Sequence, residues 1–376
     1  MKKKIRILYT INYLTNGGPT RVLLNQIYNL NKKEFDIYLL TIIDSNDEII
    51  ENELKEYGVK IIKFKMKKNI KDVFLYKTKI VDSIKKTKPD IIHTHGIVTT
   101  IILASNKIKS KRVTTIHDNI YEDYKFTYGM IEGMLIAKIH ISVLKKFDYI
   151  FCCSKASYET IKNKFKNITY IRNGIDVNIP SLKNRNLIRN SIRNNLKIGK
   201  SDIVYCYCGV LKNRKRVKEL VEFFNSSLGK NEYLLIIGDG PEFYNIKSTI
   251  KNKNIIMLGF KKNVIDYYVA SDIYTSNSFS EGFSISIIEA LSCNLLLLLS
   301  EIPSHKECFE IDKTQYIGEC FNKDNFANKK EIVSSKVDKS EVQLFYKKNL
   351  SANSMMEKYE KFYFKLLNRQ KGEQKI

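Results

Sequence analysis

Short hydrophobic runs alternate with amphipathic stretches along most of the 376-residue chain. In the first half, runs that suit β-strands lie at 5–11, 37–43, 59–64, 91–94, 113–117, 149–154 and 168–172. A second series follows at 203–210, 233–238, 255–258, 273–276 and 295–300. Strands that alternate with helical stretches indicate βαβ units and a parallel sheet covered by helices on both faces. The pattern therefore predicts an α/β protein with two Rossmann-like, doubly wound parallel sheets in tandem.

The stretch from 177 to 200 is polar and basic, with a short Arg- and Asn-rich helix, and it separates the two series. We therefore predict one domain over residues 1–180 and a second over 181–350. Hydrophobic residues recur at helical spacing near the C-terminus, which predicts a final amphipathic helix over 351–370.

The net charge is strongly positive, at +24 from 64 basic and 40 acidic residues. The excess is mostly Lys spread over helix faces, with no recognisable DNA- or RNA-binding module, so no nucleic-acid partner is expected. An anionic membrane surface and polyanionic substrates would both explain the charge. A lysine-rich solvated surface without a partner is an equally simple explanation.

Seven scattered cysteines indicate reduced thiols and a cytoplasmic location. Cys and His lack zinc spacing and Asp-x-Asp does not occur, so neither a metal nor another cofactor is expected. No secretory signal or membrane span is predicted. The segment 126–147 is long enough to span, but Glu132, Lys138 and His140 interrupt it, which favours a buried or surface-lying helix.

The segment 276–307 carries the clearest chemical signal. Glu281 and Gly282 lie in a loop that leads into a helix, and Glu289 lies inside that helix. At 1.5 Å per residue the two carboxylates are about 12 Å apart along the axis. This spacing suits two hydroxyl-bearing rings joined by a diphosphate, and the helix start offers N–H groups and a positive dipole end for the phosphates.

A basic loop follows the strand at 203–210 and leads into the next helix. It carries Lys212, Arg214 and Lys215 after Gly209. Cations at a helix N-terminus oppose the helix dipole, and a bound anion would relieve that conflict. The loop is therefore a candidate phosphate site.

Together these segments resemble the family-4 retaining glycosyltransferases of the GT-B fold, the E-x7-E type of the bacterial polysaccharide class. The motif is here Glu281, Gly282 and Glu289, and other family segments follow in the expected order. The resemblance implies two domains that face each other across a cleft, with the C-terminal helix completing the first domain. It also implies a nucleotide-sugar donor, a UDP- or GDP-sugar above all, and transfer with retention of configuration.

The resemblance also implies roles for individual residues. It assigns catalysis to His117 beside the anomeric carbon, Glu281 on the sugar hydroxyls and Lys215 on the diphosphate. The family usually has Arg where this chain has Val210, so Arg214 or Lys212 would have to supply the second cation. The donor-binding residues implied are Gly209, Arg214, Lys215, Gly238, Gly240, Phe260, Val264, Glu281, Gly282, Phe283, Ser284 and Glu289.

The acceptor side of the implied site falls on the first domain. The loop TNGGPTR contributes Gly17, Gly18 and Thr20, although a tight strand–helix turn explains its glycines equally well. His95 in DIIHTHG is a further acceptor-side candidate, with a core or capping role as the alternative.

The sequence thus predicts a hexosyltransferase-type enzyme that extends a glycan or polyprenyl-linked acceptor of O-antigen, capsule or lipopolysaccharide at the inner face of the cytoplasmic membrane. The alternatives are a soluble glycosyltransferase acting on a small molecule or protein, and a nucleotide-sugar-binding protein without activity.

Overall fold

The computed structural model describes residues 3–15, 17–43, 48–66, 70–104, 108–336 and 339–368, without the side chains of 70–75. Within it the chain divides into two compact units. The first comprises Met1–Gly174 and Ala352–Ile376, and the second comprises Ile175–Ser351. The chain therefore leaves the first unit six residues before the predicted boundary at 180 and returns to it for its last helix.

A parallel sheet forms the centre of the first unit, with the strand order β3-β2-β1-β4-β5-β6-β7. The strands are β1 Ile5–Ile11, β2 Phe35–Ile43, β3 Lys60–Met66, β4 Ile91–His95, β5 Lys111–Ile116, β6 Tyr149–Cys152 and β7 Ile168–Tyr170. The helices between them are α1 Gly18–Asn29, α2 Glu48–Glu56, α3 Ile70–Thr87, α4 Ile97–Leu103, α5 Ile120–Tyr128, α6 Met130–Leu144 and α7 Lys155–Ile161. The strand order reverses on either side of β1, as in doubly wound folds.

The second unit repeats this architecture with the strand order β10-β9-β8-β11-β12-β13, again all parallel. Its strands are β8 Ile203–Cys208, β9 Glu232–Ile237, β10 Ile255–Gly259, β11 Ile273–Ser276, β12 Leu296–Ser300 and β13 Gly318–Phe321. Its helices are α8 Leu182–Asn195, α9 Val217–Ser227, α10 Phe243–Lys247, α11 Val264–Ala270, α12 Ile285–Ser292, α13 Pro303–Glu310, α14 Phe326–Ser334 and α15 Ser340–Asn349. The predicted fold class, two doubly wound parallel sheets, is confirmed.

Helix α8 differs from the prediction of a short helix in a connecting segment. Its buried Arg193 donates to Asp272 at 2.7 Å and to the carbonyl of Ala270 at 2.9 Å. Arg189, one turn earlier, donates to the other carboxylate oxygen of Asp272 at 2.7 Å. These paired hydrogen bonds fix α8 to the second unit, because breaking them would leave a buried charge without its partner.

The last helix, α16 Ala352–Leu366, packs on the first unit beside α1. Its Tyr363 hydroxyl lies 2.6 Å from Nδ1 of His93, and its Tyr359 hydroxyl lies 3.0 Å from Oγ1 of Thr115. The predicted helix positions 369 and 370 lie outside the described residues.

Strand register places candidate residues in rows at the carboxyl edge of each sheet. In the first sheet, His95 pairs with Ile11 on one side and with Thr115 on the other. In the second, Ile237 pairs with Cys208 and with Gly259. Loops that follow strand ends in one row lie side by side, and ligands of doubly wound sheets bind at such edges.

Candidate active site

A cavity of about 340 Å³ lies at the carboxyl edge of the first sheet, and we call it the histidine cavity. The loop after β1, the start of α1, the ends of β4 and β5, and helices α4, α5 and α6 contribute to its lining. Its polar and aromatic lining includes Asn12, Tyr13, Thr15, Thr20, His95, His117, Asp118, Asp123, Tyr124, Tyr128 and His140. Its size and lining suit one or two sugar rings, which stack on aromatic faces and need several hydrogen-bonding partners.

Two histidines from neighbouring strand ends meet in this cavity. Nδ1 of His95 lies 2.8 Å from Nε2 of His117, and the ring centroids are 5.1 Å apart. Burial lowers the pKa of His117 to about 4 and that of His95 well below its usual value, so both rings are neutral at pH 7. One imidazole therefore donates to the other. The assignment of His117 to the anomeric carbon stays a prediction.

His93 and His95 lie on the same face of β4, as strand alternation predicts, with ring centroids 4.5 Å apart. His93 is nevertheless a core residue. Its Nε2 lies 2.7 Å from Oγ1 of Thr115, and its Nδ1 contacts Tyr363 of α16. Both ring nitrogens therefore have partners inside the core.

The predicted acceptor-side residues lie together at the histidine cavity. Gly17, Thr20 and His95 line it, and Gly18 begins α1 between them. Thr20 is buried, and its hydroxyl accepts a hydrogen bond of 3.4 Å from the amide of Thr15. Their role in acceptor binding stays a prediction.

The sequence did not single out two further cavity residues as functional. Nδ1 of His140 on α6 lies 2.8 Å from the hydroxyl of Tyr124 on α5, and burial lowers the pKa of His140 to about 4. Nε2 of His140 is buried without a hydrogen-bond partner, as is Nε2 of His95. Buried polar atoms without partners are uncommon in native proteins, so both nitrogens are candidate contacts for a ligand hydroxyl.

In the second unit, the basic loop after β8 meets the loop after β11. The Lys215 ammonium and an oxygen of Glu281 form a short ion pair, and Nη1 of Arg214 lies 3.5 Å from the other oxygen. Arg214 also donates to the carbonyl of Ser280, and the amide of Phe279 donates to the carbonyl of Arg214 at 2.8 Å. We call Arg214, Lys215 and Glu281 the ion cluster.

Glu281 is buried but ionised. Burial alone would raise its pKa, but the charges of Lys215 and Arg214, with hydrogen bonds from Lys215 and Ser278, lower the pKa to about 2. A fixed carboxylate of this kind accepts hydrogen bonds from sugar hydroxyls without itself taking up a proton.

A chain of hydrogen bonds connects this carboxylate to the end of β12 and to α13. Ser278 donates to Glu281 at 2.6 Å, and Ser300 at the end of β12 donates to the carbonyl of Ser278 at 2.9 Å. Nδ1 of the buried His305 lies 3.1 Å from the Ser300 hydroxyl. Ser300 and His305 were not predicted as site residues, although both follow the carboxylate motif within the segment 276–307.

The ion cluster also changes the interpretation of the basic loop, whose cations were predicted to need a bound anion. The cations of the basic loop have a protein counter-ion, Glu281, as well as Glu219 in the first turn of α9, whose carboxylate lies 3.6 Å from Arg216. Their charge therefore does not by itself require a bound anion. Arg214 is the second cation beside Lys215, whereas Lys212 lines a separate small pocket next to Glu242.

Two glycines after β9 allow the strand-end loops to come into close contact. Gly238 has φ +142°, and a Cβ there would lie 1.9 Å from the carbonyl oxygen of Gly209. Gly240 has φ +156°, and its Cβ would lie 2.5 Å from the carbonyl oxygen of Leu211. Only glycine fits at both positions, so these residues hold the basic loop against the turn after β9.

The remaining predicted donor-binding residues lie along the same edge. Phe260 follows β10 with its ring exposed, and Val264 begins α11. Gly282, Phe283 and Ser284 lead into α12, where Ser284 has the extended backbone of an N-cap residue.

Glu289 projects from the second turn of α12. It is buried and accepts a hydrogen bond of 3.4 Å from the Tyr268 hydroxyl. Among the described residues, no group of three or more His, Cys, Asp or Glu could hold a metal ion.

Two family models match most of the chain. The model for Glycosyltransferase Family 4 matches residues 16–179, and the model for Glycosyl transferases group 1 matches residues 188–344. Each match falls on one of the two sheets.

Curated relatives match over most of their length. The O-antigen biosynthesis glycosyltransferase WclY of Escherichia coli is 25% identical over 318 residues, covering 81% of this chain and 83% of the relative. The UDP-Gal:alpha-D-GlcNAc-diphosphoundecaprenol alpha-1,3-galactosyltransferase of Escherichia coli is 24% identical over 353 residues, covering 86% and 87%.

Among solved structures, Anabaena HepE in complex with UDP and glucose superposes with a TM-score of 0.77 at 14% identity, over 96% of this chain and 100% of that one. The fold is therefore that of a two-domain GT-B glycosyltransferase. The chain belongs to the family-4 glycosyltransferases.

Proposed function

We propose that this enzyme transfers a hexose-type sugar from a nucleotide sugar to a glycan or polyprenyl-linked acceptor during synthesis of a bacterial surface polysaccharide. The observation that carries the proposal is the ion cluster, a buried carboxylate held ionised by Lys215 and Arg214 at the loop before α12. Relatives named for O-antigen and capsule synthesis support the acceptor class.

In the proposed reaction the second unit binds the donor. The diphosphate accepts hydrogen bonds from Lys215 and Arg214, which exchange part of their contact with Glu281 for the phosphate oxygens. The freed oxygens of Glu281 accept hydrogen bonds from the sugar, and Glu289 accepts them from the ribose. As the bond between the anomeric carbon and the diphosphate breaks, the acceptor hydroxyl bonds to that carbon and its proton passes to the leaving phosphate oxygen, whose growing negative charge both cations stabilise.

We further propose that transfer retains the anomeric configuration and uses these protein cations, not a metal, to neutralise the diphosphate. The histidine cavity of the first unit would bind the acceptor, with neutral His95 and His140 available to its hydroxyls. The enzyme would work at the inner face of the cytoplasmic membrane with a UDP- or GDP-sugar. The UDP bound in Anabaena HepE supports a nucleotide donor.

A panel of UDP-, GDP-, ADP- and dTDP-sugars tests this proposal through release of the nucleoside diphosphate. We expect one donor to be turned over, and Lys215→Ala and Glu289→Ala to lower kcat/KM by roughly a hundredfold or more, because the first removes a transition-state contact with the diphosphate and the second removes the donor's ribose contact. Lys218→Ala and Glu222→Ala, exposed positions on α9, are the matched controls.

Undiminished turnover by both site variants would refute the assigned site, and binding of a donor without any turnover would favour a non-catalytic binding protein. Activity in the presence of EDTA tests whether transfer needs a metal, and we expect full activity there. NMR of the product reports the anomeric configuration.

A further inference from the structure

Exposed apolar side chains are concentrated in one short part of the first unit. Fifteen large hydrophobic residues of the described chain are exposed, and six of them lie between 126 and 139, at the end of α5 and along α6. These are Phe126, Tyr128, Met130, Ile131, Leu135 and Ile139. Single exposed apolar residues are ordinary, but a contiguous group marks an interaction surface.

The six residues form a continuous surface because the helix geometry aligns them. On α6, Ile131, Leu135 and Ile139 recur at four-residue spacing, so they form one stripe along the helix. Phe126, Tyr128 and Met130 flank Gly129, where φ of +87° ends α5 and turns the chain into α6. The sequence predicted one helix over this segment, whereas the structure has a helical hairpin with an apolar tip.

Exposed lysines border the stripe and follow the C-terminal end of α6. At 100° per residue, Lys138 lies about 60° from Leu135, the middle residue of the stripe, and Lys145 and Lys146 follow beyond the C-terminus of the helix. All three are exposed. The exposed acid of α6, Glu132, lies at the opposite edge of the stripe, also about 60° from Leu135. The apolar stripe therefore has one lysine and one glutamate at its edges and two lysines beyond its C-terminal end, so its surroundings carry a net positive charge.

The two helices of the hairpin are in close contact with each other and are continuous with the histidine cavity. A Cβ on Gly133 of α6 would lie 2.4 Å from the carbonyl oxygen of Tyr124, so the two helices are in direct backbone contact. His140 and Tyr124 join them again by a hydrogen bond of 2.8 Å. Tyr124, Tyr128 and His140 line the cavity, while Tyr128 is also part of the exposed apolar surface.

We propose that the α5–α6 hairpin docks this enzyme onto an anionic phospholipid bilayer. The apolar stripe enters the interface, and Lys138, Lys145 and Lys146 bind lipid phosphates, in the manner of an interfacial amphipathic helix. No helix among the described residues is long and apolar enough to cross a membrane, so the hairpin lies on the surface. The net charge of +24 favours this occupant over an uncharged protein partner.

The proposal rests on the proposed function in one respect, the lipid-linked acceptor. A docked hairpin would bring the histidine cavity next to the bilayer surface, where the headgroup of such an acceptor is found. The apolar surface then holds the enzyme and the adjoining cavity receives the acceptor sugar.

Co-sedimentation with vesicles tests docking directly, without donor or acceptor present. We expect the full-length enzyme to bind vesicles of equal parts phosphatidylglycerol and phosphatidylcholine far more tightly than phosphatidylcholine alone. Ile131→Asp with Leu135→Asp should weaken binding by at least about tenfold. Lys138→Gln, Lys145→Gln and Lys146→Gln combined should weaken it by roughly a hundredfold at low ionic strength.

The chain offers matched controls for both changes. Leu182→Asp with Leu344→Asp alters two exposed leucines of the second unit, and Lys247→Gln, Lys251→Gln and Lys253→Gln remove three exposed lysines there. Binding by the hairpin variants equal to that of the parent would overturn the proposal. Loss of binding to the same extent in the controls would overturn it too, because charge alone would then be responsible.

Two further readouts separate this inference from the proposed function. Donor turnover by the Ile131→Asp and Leu135→Asp double variant should equal that of the parent, since neither residue lines the cavity. Vesicle binding can thus be lost while transferase activity is retained, and activity can be lost while vesicle binding is retained. A parent that is dimeric by light scattering, and becomes monomeric in the double variant with vesicle binding unchanged, would identify the surface as a contact between two copies and overturn membrane docking.

Discussion

The imidazoles of His95 and His117 are hydrogen-bonded to each other at 2.8 Å, although each comes from a different strand end. This bond requires that at least one ring be neutral, and burial lowers the pKa of both. The other three histidines of the chain, His93, His140 and His305, are also buried with lowered pKa values. All five imidazoles are thus uncharged at pH 7, which makes the fold sensitive to mild acid.

We expect the free energy of unfolding to fall as the pH falls from about 7 towards 4. A lowered folded-state pKa contributes stability above the unfolded value of 6.5, and this contribution is lost as the pH drops towards the folded value. For His140 and His305, with pKa values of about 4, the contribution is on the order of 3 kcal/mol each. Urea unfolding at pH 7.5 and pH 5, followed by circular dichroism, measures the loss.

The variant His140→Phe is the control for the loss of stability between pH 7.5 and pH 5. Phenylalanine has no proton to gain, so the variant should lose less stability than the parent between the two pH values, whatever its stability at pH 7.5. Equal losses in both proteins would show that His140 does not contribute to the acid sensitivity.

Glu281→Gln should separate donor binding from catalysis. In the free enzyme Glu281 competes with phosphate for Lys215 and Arg214, so a neutral amide would leave both cations to the ligand. We expect the affinity for the nucleoside diphosphate product to rise by roughly threefold to tenfold, since one charge-assisted contact is released to the ligand. Transfer should fall by roughly a hundredfold or more, because the sugar loses a charged acceptor.

Calorimetric titration with UDP and GDP gives the first quantity, and steady-state release of the diphosphate gives the second. Glu222→Gln on the exposed face of α9 should change neither. Weaker binding of the diphosphate by Glu281→Gln would contradict the competition inferred from the ion cluster.

Local sequence patterns were enough to predict twelve strands and the parallel architecture, because most strands contain a short apolar run, as in β1 and β12, and helical stretches separate them. They did not predict β13, Gly318–Phe321, which has four residues, lies at the sheet edge and includes Gly and Glu. They also did not predict the break between α5 and α6 at Gly129, since a glycine within an apolar helical stretch does not by itself indicate a turn. Both errors concern features that tertiary contacts decide.

The candidate site, too, could be predicted only in part from the sequence. The spacing of Glu281 and Glu289 could be recognised in the sequence, because the two residues lie in one loop and in the helix that directly follows it. The contact of Glu281 with Lys215 was not, since the two residues are 66 positions apart and only the pairing of β8 with β11 brings their loops together. His140 reaches the histidine cavity through helix packing, and no motif surrounds it.

Gly238→Ala should disrupt the donor side of the second unit. The added methyl would lie 1.9 Å from the carbonyl of Gly209 at a φ that alanine rarely adopts, so the basic loop must move. We expect a loss of about 3 kcal/mol or more in stability and a raised KM for the donor. Gly58→Ala is the matched control, because its φ is also positive, at +90°, but nothing lies within 4 Å of the new methyl.

Thermal melts and donor titrations compare the two variants. A positive φ is common to both positions, at +142° and +90°, so a larger loss of stability at Gly238 reports mainly the clash with Gly209. Equal melting temperatures would show that the close approach of Gly238 to Gly209 is not needed for the fold.

Ser278→Ala should shift the pH dependence of catalysis without removing a charged group. The Ser278 hydroxyl donates to Glu281 at 2.6 Å and helps to lower the pKa of that carboxyl to about 2, so its loss raises the pKa towards the ordinary value. The acid limb of kcat/KM should therefore move to higher pH, while the rate at pH 8 falls by less than about tenfold, the effect of one hydrogen bond. Ser248→Ala, at an exposed serine of the same unit, is the control. A uniform loss of activity at every pH, with the acid limb unmoved, would show that Ser278 only supports the packing of the loop and does not govern the charge of Glu281.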